Sequence, residues 1–249
     1  MTIFVTENKI KCKKLFLVGV GPGSSKYLTD VVKDVIKRSK YLIGYKYTLA
    51  IIRDLIIRDF HQVYEVTMKD QDQTYNEVHK KMQDSEFCTI PFTGDVNFSE
   101  SEVVDRLLEI FGNDNVVLMP GISSIQVAAS RAKIPLDKTR VLSFHVTENI
   151  EDKKRELVDT IQDKKSVILV PRPWNNNREK NFMQSEIALY LKNEGIDTST
   201  LMVWVFEFLT TAEESVFRGK LNELEHMHFS PMSVMIIDQV KRKTYLDFE

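Results

Sequence analysis

The stretch LFLVGVGPGSSKYLTD, Leu15–Asp30, runs from an apolar segment into Gly19, Gly21, Pro22 and Gly23 and then turns polar. Dinucleotide sites, phosphate loops and plain tight turns all use glycine at such a place, so spacing has to decide. A dinucleotide fold wants G-x-G-x-x-G and an acidic residue about 20 residues on, at the end of the second strand. Here the third glycine comes too early, and the next apolar run ends in Gly44-Tyr45-Lys46 with no acid. A phosphate loop wants Gly-Lys-Ser or Gly-Lys-Thr, and the chain has neither. Pro22 adds a physical objection: it has no N–H, so the loop lacks the unbroken row of donors that cradles a phosphate. Two readings remain. One is a stiff turn at a strand's carboxyl end, the edge where open α/β sheets place ligands. The other is the same strand-to-helix turn with no ligand.

Outward from this loop the pattern alternates. Leu28, Val31, Val32, Val35 and Ile36 recur at helical spacing, with Thr29 placed to cap the start. Lys37, Arg38 and Lys40 follow near the helix end, where the dipole favours positive charge. YLIG reads as a buried strand, and Leu49, Ile52, Leu55 and Ile56 as the inward face of a second helix. QVYEVT is a strand, TYNEVHKKMQ a helix, and FCTIPF a strand ending at Gly94 and Asp95. Val103, Val104, Leu107, Leu108 and Phe111 then share a helix face, and Ser99 with Glu102 has capping-box spacing. NVVLMPG is a further strand; Ser123 and Gln126 again have capping-box spacing before an apolar face of Ile125, Ala128, Ala129 and Ala132. Later come the strands VLSFHV, SVILVPRP, LMVWVFEFL and SVMIID, with helices around KKRELVDTIQ and SEIALYLKNEG. Early strands that alternate with helices imply parallel pairing, and the longer, more aromatic later strands suit a mixed sheet. The fold class is therefore α/β. We place an N-terminal extension at 1–14, one α/β domain at 15–121 and a second at 122–249.

Composition narrows the class. The 249 residues carry 34 Lys and Arg against 36 Asp and Glu, a formal charge of −2, which argues against bulk nucleic-acid binding. Cys12 and Cys88 form no C-x-x-C pair, and no apolar run approaches a membrane span. The amino terminus has too short an apolar centre for a secretion signal. The expectation is a cytoplasmic protein without a metal site.

The opening loop has two companions. TGDVNFSE and MPGISSIQVAA repeat strand end, glycine, small polar residues and helix start, so three loops of the first half can converge on one cleft. VGVGPGSSKYLT, GDVNFSE and PGISSIQVAASRAKIPLD, in that order, resemble the tetrapyrrole methylase family, whose members use S-adenosylmethionine (SAM). Ser143-Phe144-His145 at a strand end and EFLTTAEE, Glu207–Glu214, bring the likeness nearest to the corrin-pathway C5-methyltransferases of the cobalt-precorrin-7 type. The resemblance implies two α/β domains with the cofactor in the cleft between them, a homodimer, and methylation of C5 of a cobalt-precorrin intermediate in cobalamin biosynthesis. By position it implies cofactor contacts from Pro22, Gly94, Asp95, Phe98, Ser123 and Ser124, and from Val170, Pro171, Leu209 and Met232 in the second domain. Gly21, Pro22, Gly23 and Lys26 match the loop facing the tetrapyrrole. Val96 stands where the family usually has proline, and PRPWNNNREKNF is longer and more polar than the pattern.

Methyl transfer from a sulfonium is an in-line displacement that needs no metal and no covalent nucleophile, so alignment can supply much of the rate. Asp95 is the candidate carboxylate for the cofactor; as a turn residue it would instead bond its own backbone. Ser123 and Ser124 can cap a helix, touch the cofactor, or do both. His145 is a weak candidate for a catalytic base, against the reading of a packed strand histidine. His226 and His228 have no ligand pattern around them. Lys26, Arg131, Arg172 and Arg178 are candidates for substrate carboxylates, each weighed against a solvated surface charge. Relatives acting at another ring position, on RNA or on a modified protein residue stay open, as does a non-catalytic binding protein.

Overall fold

A computed structural model describes residues 12–98, 100–173 and 180–239. The expectations about most of the N-terminal extension, Ser99 and Arg178 lie outside these residues. The chain divides between Ser123 and Ser124 into two compact units.

The first unit is built on a parallel sheet. Its strands are β1 (Lys14–Gly19), β2 (Tyr41–Gly44), β3 (Gln62–Glu65), β4 (Phe87–Phe92) and β5 (Val116–Met119), in the order β3-β2-β4-β1-β5. Parallel strands need crossovers, and helices supply them: α1 (Asp30–Arg38), α2 (Lys46–Ile51), α3 (Gln71–Lys81) and α4 (Ser101–Phe111). Successive residues of β1 point to opposite faces. Phe16 and Val18 join Val32, Ile36, Leu49 and Ile52 of the α1–α2 side. Leu15 and Leu17 join Tyr75, Val78, Val104, Leu107 and Phe111 of the α3–α4 side. Burial of each such side chain stabilises the fold by roughly 1.5–3 kcal/mol. A buried polar link ties the C-terminus of α1 to β4: Ser39 Oγ donates to Val35 O at 2.9 Å and lies 2.7 Å from Thr89 Oγ1.

The second unit carries the mixed sheet. Its strands are β6 (Thr139–Ser143), β7 (Ser166–Val170), β8 (Met202–Glu207), β9 (Ser215–Lys220) and β10 (Ser233–Asp238), ordered β6-β7-β10-β8-β9. β6 and β7 are parallel and the other pairs antiparallel. α6 (Glu151–Gln162) and α7 (Gln184–Asn193) bury Leu157, Ile161, Ile187 and Leu191 with Leu169, Val203, Val205 and Met235. α5 (Ser124–Ala132) packs on β7 and β10 through the small-residue face seen in the sequence.

The structure corrects several local readings. Val31 is 47% exposed, because the face that α1 buries is set by Val32 and Ile36. Thr29 holds the N-cap position of α1 but makes no capping bond, and its buried hydroxyl has no partner among the described residues. Glu100 holds the N-cap position of α4 and makes no side-chain capping bond. β9 is an additional strand: SVFRGK carries too few apolar residues to announce itself and is held by its register with β8. Among the described residues no helix is long and apolar enough to cross a membrane.

Candidate functional site

In the first unit the three glycine loops meet. β1 lies between β4 and β5, so the carboxyl ends of these strands stand side by side. Val20 N donates to Phe92 O at 2.8 Å, and Gly21 and Gly94 exchange two backbone hydrogen bonds, of 3.2 and 2.8 Å. A Cβ on Gly19 would lie 2.5 Å from Gly94 O and 2.6 Å from Gly121 N; one on Gly121 would lie 2.4 Å from Gly94 O. Glycine is required there because three backbones occupy the space of a side chain. Gly21, at φ +83°, also uses the left-handed region that favours glycine. Pro22 is buried directly after this junction and Gly23 is partly open.

The outgoing loops of β1 and β4 leave for opposite faces, since α1 and α4 pack in different cores. Adjacent strands of this kind form the crevice at which open α/β sheets bind ligands. The β4 loop is shaped by Asp95: its Oδ1 accepts from Asn97 N at 2.7 Å and from Asn97 Nδ2 at 2.9 Å. Phe98 N closes the turn on Asp95 O at 3.1 Å. The turn reading of Asp95 is thus realised. Val96, at 1% exposure, anchors the loop by burial where proline would do so by restricting φ.

The β2 side of the same edge holds a polar cluster that the sequence reading missed. Tyr45 OH donates to Gln71 Oε1 at 2.7 Å, and Tyr75 OH reaches the same oxygen at 3.4 Å. Tyr47 stacks on Tyr45 with ring centres 5.9 Å apart. Burial, and then the Tyr45 phenol, raise the Tyr75 pKa. Burial first and the Glu100 carboxylate second raise that of Tyr47. Tyr47 is 53% exposed as a residue. Thr93 Oγ1 is buried and makes no hydrogen bond among the described residues. Burial alone pushes the Glu100 carboxyl up to about 7. The available signal was the GYKY after β2 and the last residue of NFSE; their meeting depends on β2 lying next to β4.

The second unit presents its candidates at strand ends. Val170 is half-buried and Pro171 buried just after β7; Leu209 is 4% exposed and Met232 46% exposed. Leu209 sits between Phe208 and Thr210, both left-handed at φ +48° and +70°. Glu214 holds that loop, accepting from Thr210 N at 2.7 Å and pairing with Arg131 at 3.4 Å. Arg131 is therefore a loop clamp. Arg172 is 6% exposed, contrary to the surface reading, and donates to Thr147 O at 3.1 Å. His145 lies beyond the end of β6 and is exposed, which overturns the reading of a packed strand histidine. Ser123 is buried and Ser124 half-buried at the start of α5; Lys26 is exposed. Cys88 is buried, and burial drives its thiol pKa up, so it is no nucleophile at neutral pH.

A parallel α/β unit with glycine-tight strand ends, followed by a mixed-sheet α/β unit, matches the family model of the tetrapyrrole (corrin/porphyrin) methylases over residues 14–225. The chain belongs to that family and is a methyltransferase. Among its relatives is a probable cobalt-precorrin-7 C(5)-methyltransferase of Methanocaldococcus jannaschii, 28% identical over 231 residues that span 90% of this chain and 97% of that protein. The methyltransferase CobJ superposes with a TM-score of 0.73 at 15% identity, over 93% of this chain and 97% of its own. Uroporphyrin-III C-methyl transferase from Thermus thermophilus, solved with S-adenyl homocysteine, gives 0.66 at 16% identity, over 90% and 96%.

Proposed function

We propose that the chain methylates C5 of a cobalt-precorrin intermediate in cobalamin biosynthesis, with SAM as donor. The near full-length likeness to the probable cobalt-precorrin-7 C(5)-methyltransferase carries the reading. The residues fit such a cofactor chemically. Thr93 to Phe98 offers backbone groups, the Asp95 carboxylate and the apolar Val96 and Phe98, with no basic side chain. That set suits a cationic sulfonium and an adenosine, and does not suit a phosphate. The cofactor supplies an electrophilic methyl group. Asp95 favours its positive charge, and Gly94 and Phe98 of the same loop lie against it.

Gly21, Pro22 and Gly23 present backbone rather than side chains to a flat macrocycle, and Lys26 pairs with a substrate carboxylate. The reading also carries a homodimer, a cytoplasmic location and a small-molecule substrate. The test is incubation with methyl-labelled SAM and a cobalt-precorrin lacking the C5 methyl, followed by NMR of the product. Label on another carbon removes the C5 assignment, and no transfer removes the reading. For the cofactor side, Asp95→Asn keeps the turn and loses the charge, so calorimetry should show SAM affinity falling about tenfold. Unchanged affinity takes Asp95 out of the pocket.

A further inference from the structure

β4 has a neighbour on each side whose outgoing helix leaves for the other face of the first sheet. Leu49 of α2, which follows β2, packs in the same core as α1, whereas Val104 and Leu107 of α4, which follows β4, pack in the opposite one. β2 pairs with β4, so the arrangement that places ligands in open α/β sheets recurs between their carboxyl ends, one strand over from the glycine junction. The segment GYKY, Gly44 to Tyr47, forms the β2 side of it. A Cβ on Gly44 would lie 2.9 Å from Thr48 Oγ1 and 3.1 Å from Pro91 Cγ, so the first turn of α2 is drawn down onto the ends of β2 and β4. Tyr45 O accepts from Leu49 N at 3.0 Å and from Thr48 Oγ1 at 3.0 Å, which fixes the Tyr45 backbone. Its hydroxyl donates to Gln71 Oε1 of α3 at 2.7 Å. Gln71 is 3% exposed, and Tyr75 OH lies 3.4 Å from the same oxygen. α2 packs on one face of the sheet and α3 on the other, so Tyr45 bridges the carboxyl edge. Tyr47 lies on Tyr45 in a near-parallel stack, with ring centres 5.9 Å and planes 12° apart, and is 53% exposed all the same. Lys46, between the two in sequence, is exposed as well.

Resting on the C5 reading, we propose that Tyr47 is a stacking platform for the macrocyclic substrate and that Lys46 takes one of the substrate's carboxylates. Tyr45 and Gln71 are positioning residues: Gln71 holds the Tyr45 hydroxyl, and the Tyr45 ring backs Tyr47. An aromatic ring left in water stabilises a core little. One whose orientation is fixed through a chain of contacts ending on a buried glutamine is a preformed surface, which saves the ordering cost of binding. A tetrapyrrole answers both features of the segment, since it carries carboxylates on the rim of an extended π system. The adenine of SAM offers a π face, but the carboxylate of that molecule sits at its far end.

The probe is the cobalt-precorrin lacking the C5 methyl, titrated through its absorption band in the absence of SAM, alongside steady-state kinetics. Tyr47→Ala should weaken macrocycle binding about fivefold and raise KM in step, with kcat and the calorimetric SAM affinity held. Tyr47→Phe should recover the affinity, because the ring and not the hydroxyl carries it. Gln71→Leu removes the acceptor that holds Tyr45 and should weaken binding about threefold, with the same split between KM and kcat. Lys46→Gln should cost about threefold at low salt and flatten the salt dependence of binding. A Tyr47→Ala protein with wild-type melting that binds the macrocycle as wild type does overturns the inference. So does one that loses SAM affinity in place of macrocycle affinity, for the ring then serves the cofactor. A wild type that places label on another carbon removes the C5 assignment, while the titration still decides the platform. A wild type that does not bind the macrocycle removes both.

Discussion

Replacing Gly121 by alanine probes the junction on which the first unit's site depends. The added Cβ would lie 2.4 Å from Gly94 O and 2.6 Å from both C and O of Gly19. All three are backbone atoms of strand ends or loops, so no rotamer change relieves the contact. Relief requires β1, β4 and β5 to part by about an ångström at their carboxyl ends, breaking pairings such as Gly94 N to Gly21 O at 2.8 Å. Overpacking of this kind costs typically 1–3 kcal/mol, and more where backbone must move. The loss of unfolded-state freedom on Gly→Ala returns about 0.4–1 kcal/mol. The net expectation is about 2 kcal/mol, or a fall in melting temperature of roughly 8 °C for a unit of this size. Hydrogen exchange is the suitable assay, because it reads the amides of the affected strand ends one by one. Amides of Val18 to Gly21 and Phe92 to Gly94 should lose protection. Gly19→Ala invades the same space, so the double variant should cost less than the sum of the singles. A Gly121→Ala protein that keeps wild-type melting and protection would refute the packing account.

The pH dependence of stability reports on Glu100, whose carboxyl burial makes harder to ionise. Its folded pKa, about 7, lies above the ordinary glutamate value, so the folded protein holds a proton that the unfolded chain has already lost. The advantage is full below about pH 4.3 and disappears as pH rises through 7; Glu100→Gln should abolish that decline, worth about 1–3 kcal/mol. Parallel stability curves for the two proteins from pH 4 to 8 would contradict it. Ser39→Ala should destabilise the first unit by about 2 kcal/mol in urea, since it strands the buried Thr89 hydroxyl, whose partner is Ser39 at 2.7 Å. Thr89→Val should cost less, because Ser39 keeps its bond to Val35 O at 2.9 Å. Equal losses in the two variants would count against this bookkeeping of partners.

Much of the architecture was legible in the sequence because burial is periodic. β1, β2 and β4 are buried on both faces and read as unbroken apolar runs, as strands of a parallel sheet do. The glycine loops were legible as well, since a strand end that must touch another backbone leaves no choice of residue. β9 was not: four of its six residues carry polar groups or lack a side chain, and its strand state comes from antiparallel pairing with β8 rather than from an apolar pattern of its own. Val31 shows a smaller version of the same limit, for helical spacing marks a stripe wider than the face that packing uses.

By itself the sequence determined the α/β class, the parallel-then-mixed order of strands and the three glycine turns, all local consequences of side-chain volume, hydropathy and backbone freedom. Only the tertiary structure decided that Gly19, Gly94 and Gly121 share one space, that Arg131 pairs with Glu214 while Arg172 is buried, and that burial raises the proton affinity of Glu100. The glycine junction depends on strand order, which brings β4 beside β1 although the two are far apart along the chain. A carboxylate's proton affinity is set by the water and charge around it, and that surrounding exists only once the strands have paired.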